Sequence, residues 1–302
     1  MEVVALKTYK ISTTIEVTKN NISRTLFNDA CLEMKQGEMI ILKAPNGSGK
    51  TTFIKTLLGS MGQNTIRKSN TKNENIKFNN SNIDIQEYDD LSDIKNKLNQ
   101  VTMAQRISYM KQSFPDYLIK GTIEDFIKEN LRGAVEDRKI KELFNSEWFL
   151  SLIDNLIKLF YFEKDFNYQK YTKKDLIKYM SGGEMQALLF IATILRALYT
   201  DIVILDEPFN NVGFSQKRMI NDIIRKLHDD FPDKIFLIIS HCTIINLDLY
   251  INSKSLTVNS NTGKFEESDY NNYSCLGTST KIYFDYEEYI VKHKLMFGAF
   301  KL

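Results

Sequence analysis

The stretch KAPNGSGKTT, Lys43–Thr52, follows directly on the apolar run Met39-Ile40-Ile41-Leu42. That run predicts a short buried strand, and Thr51–Leu58 predicts the start of a helix. Strand, glycine-rich loop and helix, in that order, make a loop suited to phosphate. Gly47 and Gly49 let the backbone curl so that successive N–H groups point inward as an anion nest. The helix beginning near Gly49 adds the positive end of its dipole. Lys50 stands where it can reach the outer phosphates, and the Thr51 hydroxyl where it can ligate Mg2+. The motif usually opens with glycine, and here that place is Ala44. A positive φ at alanine costs about 1 kcal/mol, which is small beside several charge-assisted hydrogen bonds of about 1.5–3 kcal/mol each. The loop is therefore expected to hold a nucleotide.

A second stretch, YMSGGEMQALLFIATILRALYTDIVILDEPFNN, spans Tyr179–Asn211. Ile202-Val203-Ile204-Leu205 predicts a fully apolar strand that ends in Asp206-Glu207-Pro208. A carboxylate at a strand end can hold Mg2+ through water, and the next can polarise an attacking water. Leu237–His241, LIISH, is another apolar strand with a polar tip. Parallel strands ending in functional residues at one edge suit a doubly wound α/β sheet. Ser181, Gly182 and Gly183 stand before a long apolar helix and make a second anion site, separate from the first. One chain with two phosphate sites suggests two nucleotides shared between two chains.

Over roughly residues 3 to 250 the sequence resembles the ATP-binding cassette (ABC) ATPases. Lys43–Thr52 looks like the Walker A loop, and Met180–Glu184 like the family signature, with Met180 for the usual leucine. Ile202–Glu207 looks like Walker B with the catalytic glutamate, His241 like the switch histidine, and Gln112 in ISYMKQSFPDYL like the glutamine loop.

The resemblance implies a P-loop NTPase core of class α/β, with a mainly parallel sheet flanked by helices, an antiparallel β part and an α-helical signature subdomain at about residues 113–180. It implies an ATPase whose two chains pack head to tail around two ATP molecules. Asn46, Gly47, Ser48, Gly49, Lys50, Thr51 and Thr52 would contact the nucleotide, with Gln112. Ser181, Gly182 and Gly183 would meet the other chain's γ-phosphate. Thr51, Gln112 and Asp206 would serve Mg2+, Glu207 would act on the water, and Lys50 and His241 would stabilise the transferring phosphate.

Three departures stand out. Gly213, in Phe209-Asn210-Asn211-Val212-Gly213, occupies the place of an aspartate in a segment that helps couple the two sites. Lys19-Asn20-Asn21-Ile22 has no aromatic residue to stack on adenine. Ala187 replaces a basic residue after the signature. None of the three removes Lys50, Asp206, Glu207 or His241, so hydrolysis is expected.

The rest of the 302-residue chain sets bounds. Hydrophobic residues at 43% and charged residues at 26% predict a soluble globular protein. Lys+Arg of 40 against Asp+Glu of 38 gives a net charge of +2, with no general pull toward nucleic acid or anionic lipid. Cys31, Cys242 and Cys275 fit a reducing compartment rather than a disulfide framework. No segment reaches the roughly 20 apolar residues of a membrane span, so another chain is expected to supply any membrane part.

Residues about 60–100 are rich in Asn and Lys and predict a surface insertion or a partner contact, within which IKFNNSNID, Ile76–Asp84, suggests a short antiparallel strand and turn. Glu147–Phe162, with Trp148, has apolar residues at helical spacing and serves either as core or as a groove for a membrane subunit. Lys170, Lys173, Lys174 and Lys178 among tyrosines read as a solvated helix face rather than a nucleic-acid surface. Residues 251–302 form a C-terminal extension beyond a cassette of about residues 1–250, packed on the core or at a dimer contact. His228 and His293 lack metal-ligand spacing.

The function expected is that of an ABC transporter's ATPase subunit, peripheral on the cytoplasmic face of the membrane. Its partners would be a separate membrane subunit and a second cassette, identical or not, with export of a peptide or toxic compound as the direction. The alternatives are a soluble ABC ATPase that moves no substrate and a nucleotide-binding regulator with little turnover.

Overall fold

The computed structural model describes residues 7–19, 22–43, 47–59, 66–68, 75–89, 92–112, 121–160, 177, 180–240 and 252–268. Ala44, Asn46, His241, Cys242, Cys275, His293, the lysines between Tyr168 and Tyr179, and the extension past residue 268 lie outside them. The chain forms two compact units.

The first unit contains an antiparallel sheet. Strands β1 (Lys7–Lys19), β2 (Ile22–Lys35), β4 (Ile66–Lys68) and β5 (Asn75–Asp89) lie in the order β2-β1-β5-β4, and β6 (Ser92–Leu98) pairs with β5. Tyr9, Ile11, Thr13 and Ile15 are buried along β1, and Ala30, Leu32 and Met34 along β2. This alternation is the period-two pattern of strands with one buried face. The turn expected within Ile76–Asp84 is absent, because β5 runs on through it. The register shifts there instead, with Thr14 opposite Asn82 and Glu16 opposite Asn79. A bulge absorbs the one surplus residue of the Asn-rich strand while the ladder with β1 continues.

In the same unit β3 (Met39–Lys43) pairs in parallel with both β9 (Ile235–Ile239) and β10 (Ser253–Val258), and β11 (Phe265–Glu267) lies antiparallel on β10. Met39 to Leu42 are buried, as a strand covered on both sides requires. Helix α1 (Lys50–Leu57) follows β3, and α2 (Gln100–Gln105) precedes the second unit. Phe27, Phe53 and Phe265 form an aromatic cluster with centroids 5.0–5.5 Å apart.

The second unit holds β7 (Ile107–Met110) beside β8 (Ile202–Asp206), with helices α3 (Ile123–Leu131), α4 (Asp137–Phe144), α5 (Glu147–Phe160), α6 (Gly182–Ala197) and α7 (Phe214–Asp230). On α5 the buried residues are Phe149, Leu152, Ile153, Leu156, Ile157, Leu159 and Phe160, while Trp148 is 42% exposed. Helix α6 is buried almost all round from Gln186 to Leu195, the pattern of a central helix. Ser108 Oγ donates to the Thr193 carbonyl at 2.6 Å and ties β7 to α6.

Arg196, in the last turn of α6, donates to the carbonyls of Asn130 and Arg132, each at 2.6 Å, and so satisfies the end of α3. Arg196→Met keeps the aliphatic stem and removes both bonds. It is expected to cost about 3 kcal/mol, since bonds to a charged group contribute about 1.5–3 kcal/mol each. A fall in the urea midpoint at unchanged m-value checks it.

Candidate functional site

In the first unit residues 47–49, just before α1, have the backbone their glycines predict. Gly47 and Gly49 have φ of 78° and 94°, both in the region that favours glycine. At Gly47 only the dihedral demands glycine, for a Cβ there would meet nothing within 4 Å. At Gly49 space demands it as well, since a Cβ would lie 2.9 Å from Phe27 Cε2 and 3.2 Å from Leu26 Cβ. Gly49 also caps α1, its carbonyl accepting from Phe53 N at 2.8 Å. No side chain caps that helix start, and its first turn holds no acidic residue. The N–H groups and dipole there have no competing carboxylate from the helix itself.

Ser48 is buried, and its Oγ has no hydrogen-bond partner among the described residues. A buried hydroxyl of this kind costs free energy unless a further group supplies the bond. Lys50 is buried too, and Thr51 and Thr52 are half-buried. Left-handed glycines, an uncapped helix start, an orphan hydroxyl and a lysine suit a polyphosphate.

In the second unit β8 is buried throughout and delivers Asp206 and Glu207 to its end, both buried. Tyr109 of β7 donates its hydroxyl to Asp206 Oδ2 at 3.2 Å. Burial first, then the charge of Asp206 and that bond, push the Tyr109 phenol far above its ordinary range, so it stays a donor. Glu207 has φ of 55°, unusual for a residue with a side chain and worth about 1–2 kcal/mol of strain. Its carbonyl accepts from Asn210 N and from Gln186 Nε2, each at 3.2 Å.

Ser181 caps α6 in a reciprocal box. Glu184 N donates to Ser181 Oγ at 3.3 Å, and Ser181 N donates to Glu184 Oε2 at 2.6 Å. The Ser181 hydroxyl accepts there and keeps its hydrogen to donate outward. Ser181 and Gly182 are exposed. At Gly183 a Cβ would stand 3.0 Å from the Asn211 carbonyl, which would have to give by a few tenths of an ångström. Asn211 itself has φ of 58°, and Gly213 N donates to Gln216 Oε1 at 3.0 Å. Gln112 is exposed, two residues past β7.

Tyr109, Gln186 and Gln216 escaped the sequence reading. A signal existed for the first two. A tyrosine in an apolar strand and a glutamine in an apolar helix each need a polar partner when buried.

Residues 27–210 match the ABC transporter family. A probable ABC transporter ATP-binding/permease protein of Haemophilus influenzae is 25% identical over 218 residues, 72% of this chain and 32% of that protein. A sulfate/thiosulfate import ATP-binding protein of Bacillus cereus is 27% identical over 205 residues, 67% of this chain and 47% of that one. The chain thus spans about a third to a half of the length of these relatives. Among solved structures, the dimeric post-hydrolysis state of an ATP-binding cassette bound to ADP and Pi is 17% identical, with a TM-score of 0.55 over 86% of this chain and 98% of that one. At that identity the likeness is one of fold, and the fold is the α/β P-loop class expected from the sequence. Since the family match covers more than half of the chain and includes the loop, the signature and the strand ending in Asp206, the chain belongs to the ABC transporter family and carries its ATP-binding domain.

Proposed function

We propose that the chain binds and hydrolyses ATP with Mg2+ as the energising subunit of a transporter. The observation that carries this reading is the pair of left-handed glycines, Gly47 and Gly49, around a buried Ser48 hydroxyl that has no partner among the described residues, at the start of α1 in a chain of this family. ATP supplies a phosphoryl group that can pass to water. In this reading the loop's N–H groups, Lys50 and Thr52 hold the phosphates, with Asn46 and Gln112 completing the contacts. Lys50 offsets negative charge as it develops. Thr51 and Asp206 are hard oxygen donors of the kind Mg2+ takes alongside phosphate oxygens, and Gln112 is assigned to the same ion. Glu207 takes a proton from the attacking water and His241 stabilises the phosphoryl oxygens. Ser181, Gly182 and Gly183 complete the nucleotide site of a second cassette.

No helix among the described residues is long and apolar enough to cross a membrane. A separate membrane subunit is the partner proposed, with this chain on its cytoplasmic face and no nucleic acid involved. Outward transport of a peptide or toxic compound is the proposed direction, supported by the departures at Gly213 and Ala187 from the family pattern. An import protein stands among the relatives, so a flux assay in both directions is the measurement that decides. The partner is tested by tagging the protein in its own cell, extracting membranes in mild detergent and identifying what co-purifies. A stoichiometric polytopic membrane protein supports the reading. Recovery only in the soluble fraction, even after cross-linking, overturns it in favour of a non-transport ATPase.

Tyr109→Phe tests the metal part. The hydroxyl orients Asp206, and loss of such an outer partner typically weakens metal affinity 10- to 100-fold. About tenfold more Mg2+ should be needed for half-maximal turnover, with nucleotide affinity in saturating Mg2+ unchanged.

A further inference from the structure

The segment from Glu207 to Gly213 is held at three points by groups of the same unit. At its start the Glu207 carbonyl accepts from Gln186 Nε2. In its middle the Asn211 carbonyl packs against Gly183, where a Cβ would stand 3.0 Å from it. At its end Gln216 accepts from Gly213 N and donates to the Phe160 carbonyl at 3.4 Å. Two of these three groups, Gly183 and Gln186, stand on the first turns of α6, the helix that begins at Ser181.

Gln186 is the more informative of the two. It is 4% exposed among apolar neighbours, where a primary amide is costly unless bonded. Its partner is the carbonyl of Glu207, a residue with a side chain and a positive φ. A left-handed conformation at a residue with a side chain persists only where the surroundings over-determine it. The carbonyl also takes Asn210 N, which closes the local turn, but that bond lies within the loop and does not tie it to anything outside. Gln186 does. It lies five residues from Ser181, about 7 Å along the helix axis.

We propose that Gln186 is a positioning residue. Its amide fixes the left-handed backbone at Glu207, aims that carboxylate, and transmits to it any displacement of the helix start at Ser181–Gly183. A group docking on Ser181 and Gly182 therefore acts on the Glu207 backbone through the Gln186 side chain, beside the contact of Gly183 with Asn211 further along the segment. The proposal rests on the reading of Glu207 as the base.

The test is Gln186→Met, which keeps the length and loses the donor. Gln186→Glu is the second variant should the first not fold; it keeps the volume and loses the donor when ionised. Three quantities are measured in the full chain: kcat, affinity for a fluorescent ATP analogue, and amide exchange over residues 207–211. The expected result is affinity within twofold of wild type, kcat lower by at least tenfold, and faster exchange over 207–211. In a Glu207→Gln background the second substitution should cost nothing further, since its effect passes through the carboxylate. A kcat within twofold of wild type overturns the proposal. So does a parallel fall of affinity and kcat that persists in full in the Glu207→Gln background, which marks a merely structural role. A wild-type chain without turnover overturns the reading of Glu207 and this proposal with it, whereas normal wild-type turnover with an indifferent Gln186→Met overturns the proposal alone.

Discussion

Glu207→Gln is expected to lower ATP turnover about 10²- to 10⁴-fold, the range a positioned general base contributes, while nucleotide binding survives. Glutamine has the size of glutamate and can still bond to a water, but it cannot take that water's proton. Glu207 is buried at the end of β8, where a proton-accepting carboxylate is shielded from bulk solvent. The backbone that aims it is strained and held from outside the loop. The isosteric change disturbs neither feature, so loss of rate with retained binding isolates the chemistry. Phosphate release measures the first quantity, and size exclusion with and without ATP measures the second. The variant should accumulate as an ATP-bound dimer, because closure no longer ends in hydrolysis. Turnover within tenfold of wild type, with no dimer, would remove Glu207 from the mechanism and favour a nucleotide-binding regulator.

The two motif stretches were legible because short apolar runs led straight into unusual residues. Met39–Leu42 and Ile202–Leu205 lie in strands β3 and β8, and Asp206 closes the second of them. Thr51–Leu58 is α1 to within one residue. The long ribbon β1-β2-β5 was not legible. Asn-Asn-Ser-Asn within β5 has a turn's composition and no alternation. What makes it a strand is hydrogen bonding to β1, from Lys7 opposite Asp89 to Lys19 opposite Ile76, and such pairing is remote in sequence. Context of that kind overrides local preference in sheets. Tyr109 and Gln186 were missed for a related reason. The sequence says that each needs a partner and not which one, and the partners lie 97 and 21 residues away. Gly183 is a third case. The sequence marks it as an opening for phosphate, and the structure sets it against the Asn211 carbonyl of the same chain, where a Cβ would stand 3.0 Å away. Trp148 shows the limit of a periodic stripe: the spacing admits it, and the phase of α5 leaves it exposed.

Gly49→Ala and Gly47→Ala, compared side by side, test whether the loop holds phosphate in the conformation observed. Both glycines are left-handed, so each alanine carries about 1–2 kcal/mol of backbone strain. Only Gly49 adds a steric charge. Its new methyl would press on Phe27, whose ring is packed against Phe53 and Phe265 and has little room to turn. Overpacking of that kind costs about 1–3 kcal/mol more. The chain can relieve the strain by rotating the peptide at Gly49, but then the N–H groups at the start of α1 no longer converge. Affinity for ATP should therefore fall by at least about 30-fold in Gly49→Ala, the equivalent of about 2 kcal/mol at 1.4 kcal/mol per tenfold. In Gly47→Ala the loss should stay near or below tenfold, because the space around it is open. Titration of a fluorescent ATP analogue gives both affinities, and thermal unfolding without nucleotide separates binding loss from destabilisation. Equal, small effects at the two positions would mean that the loop does not use this conformation to bind, and the assignment of the phosphate cradle would fall with it.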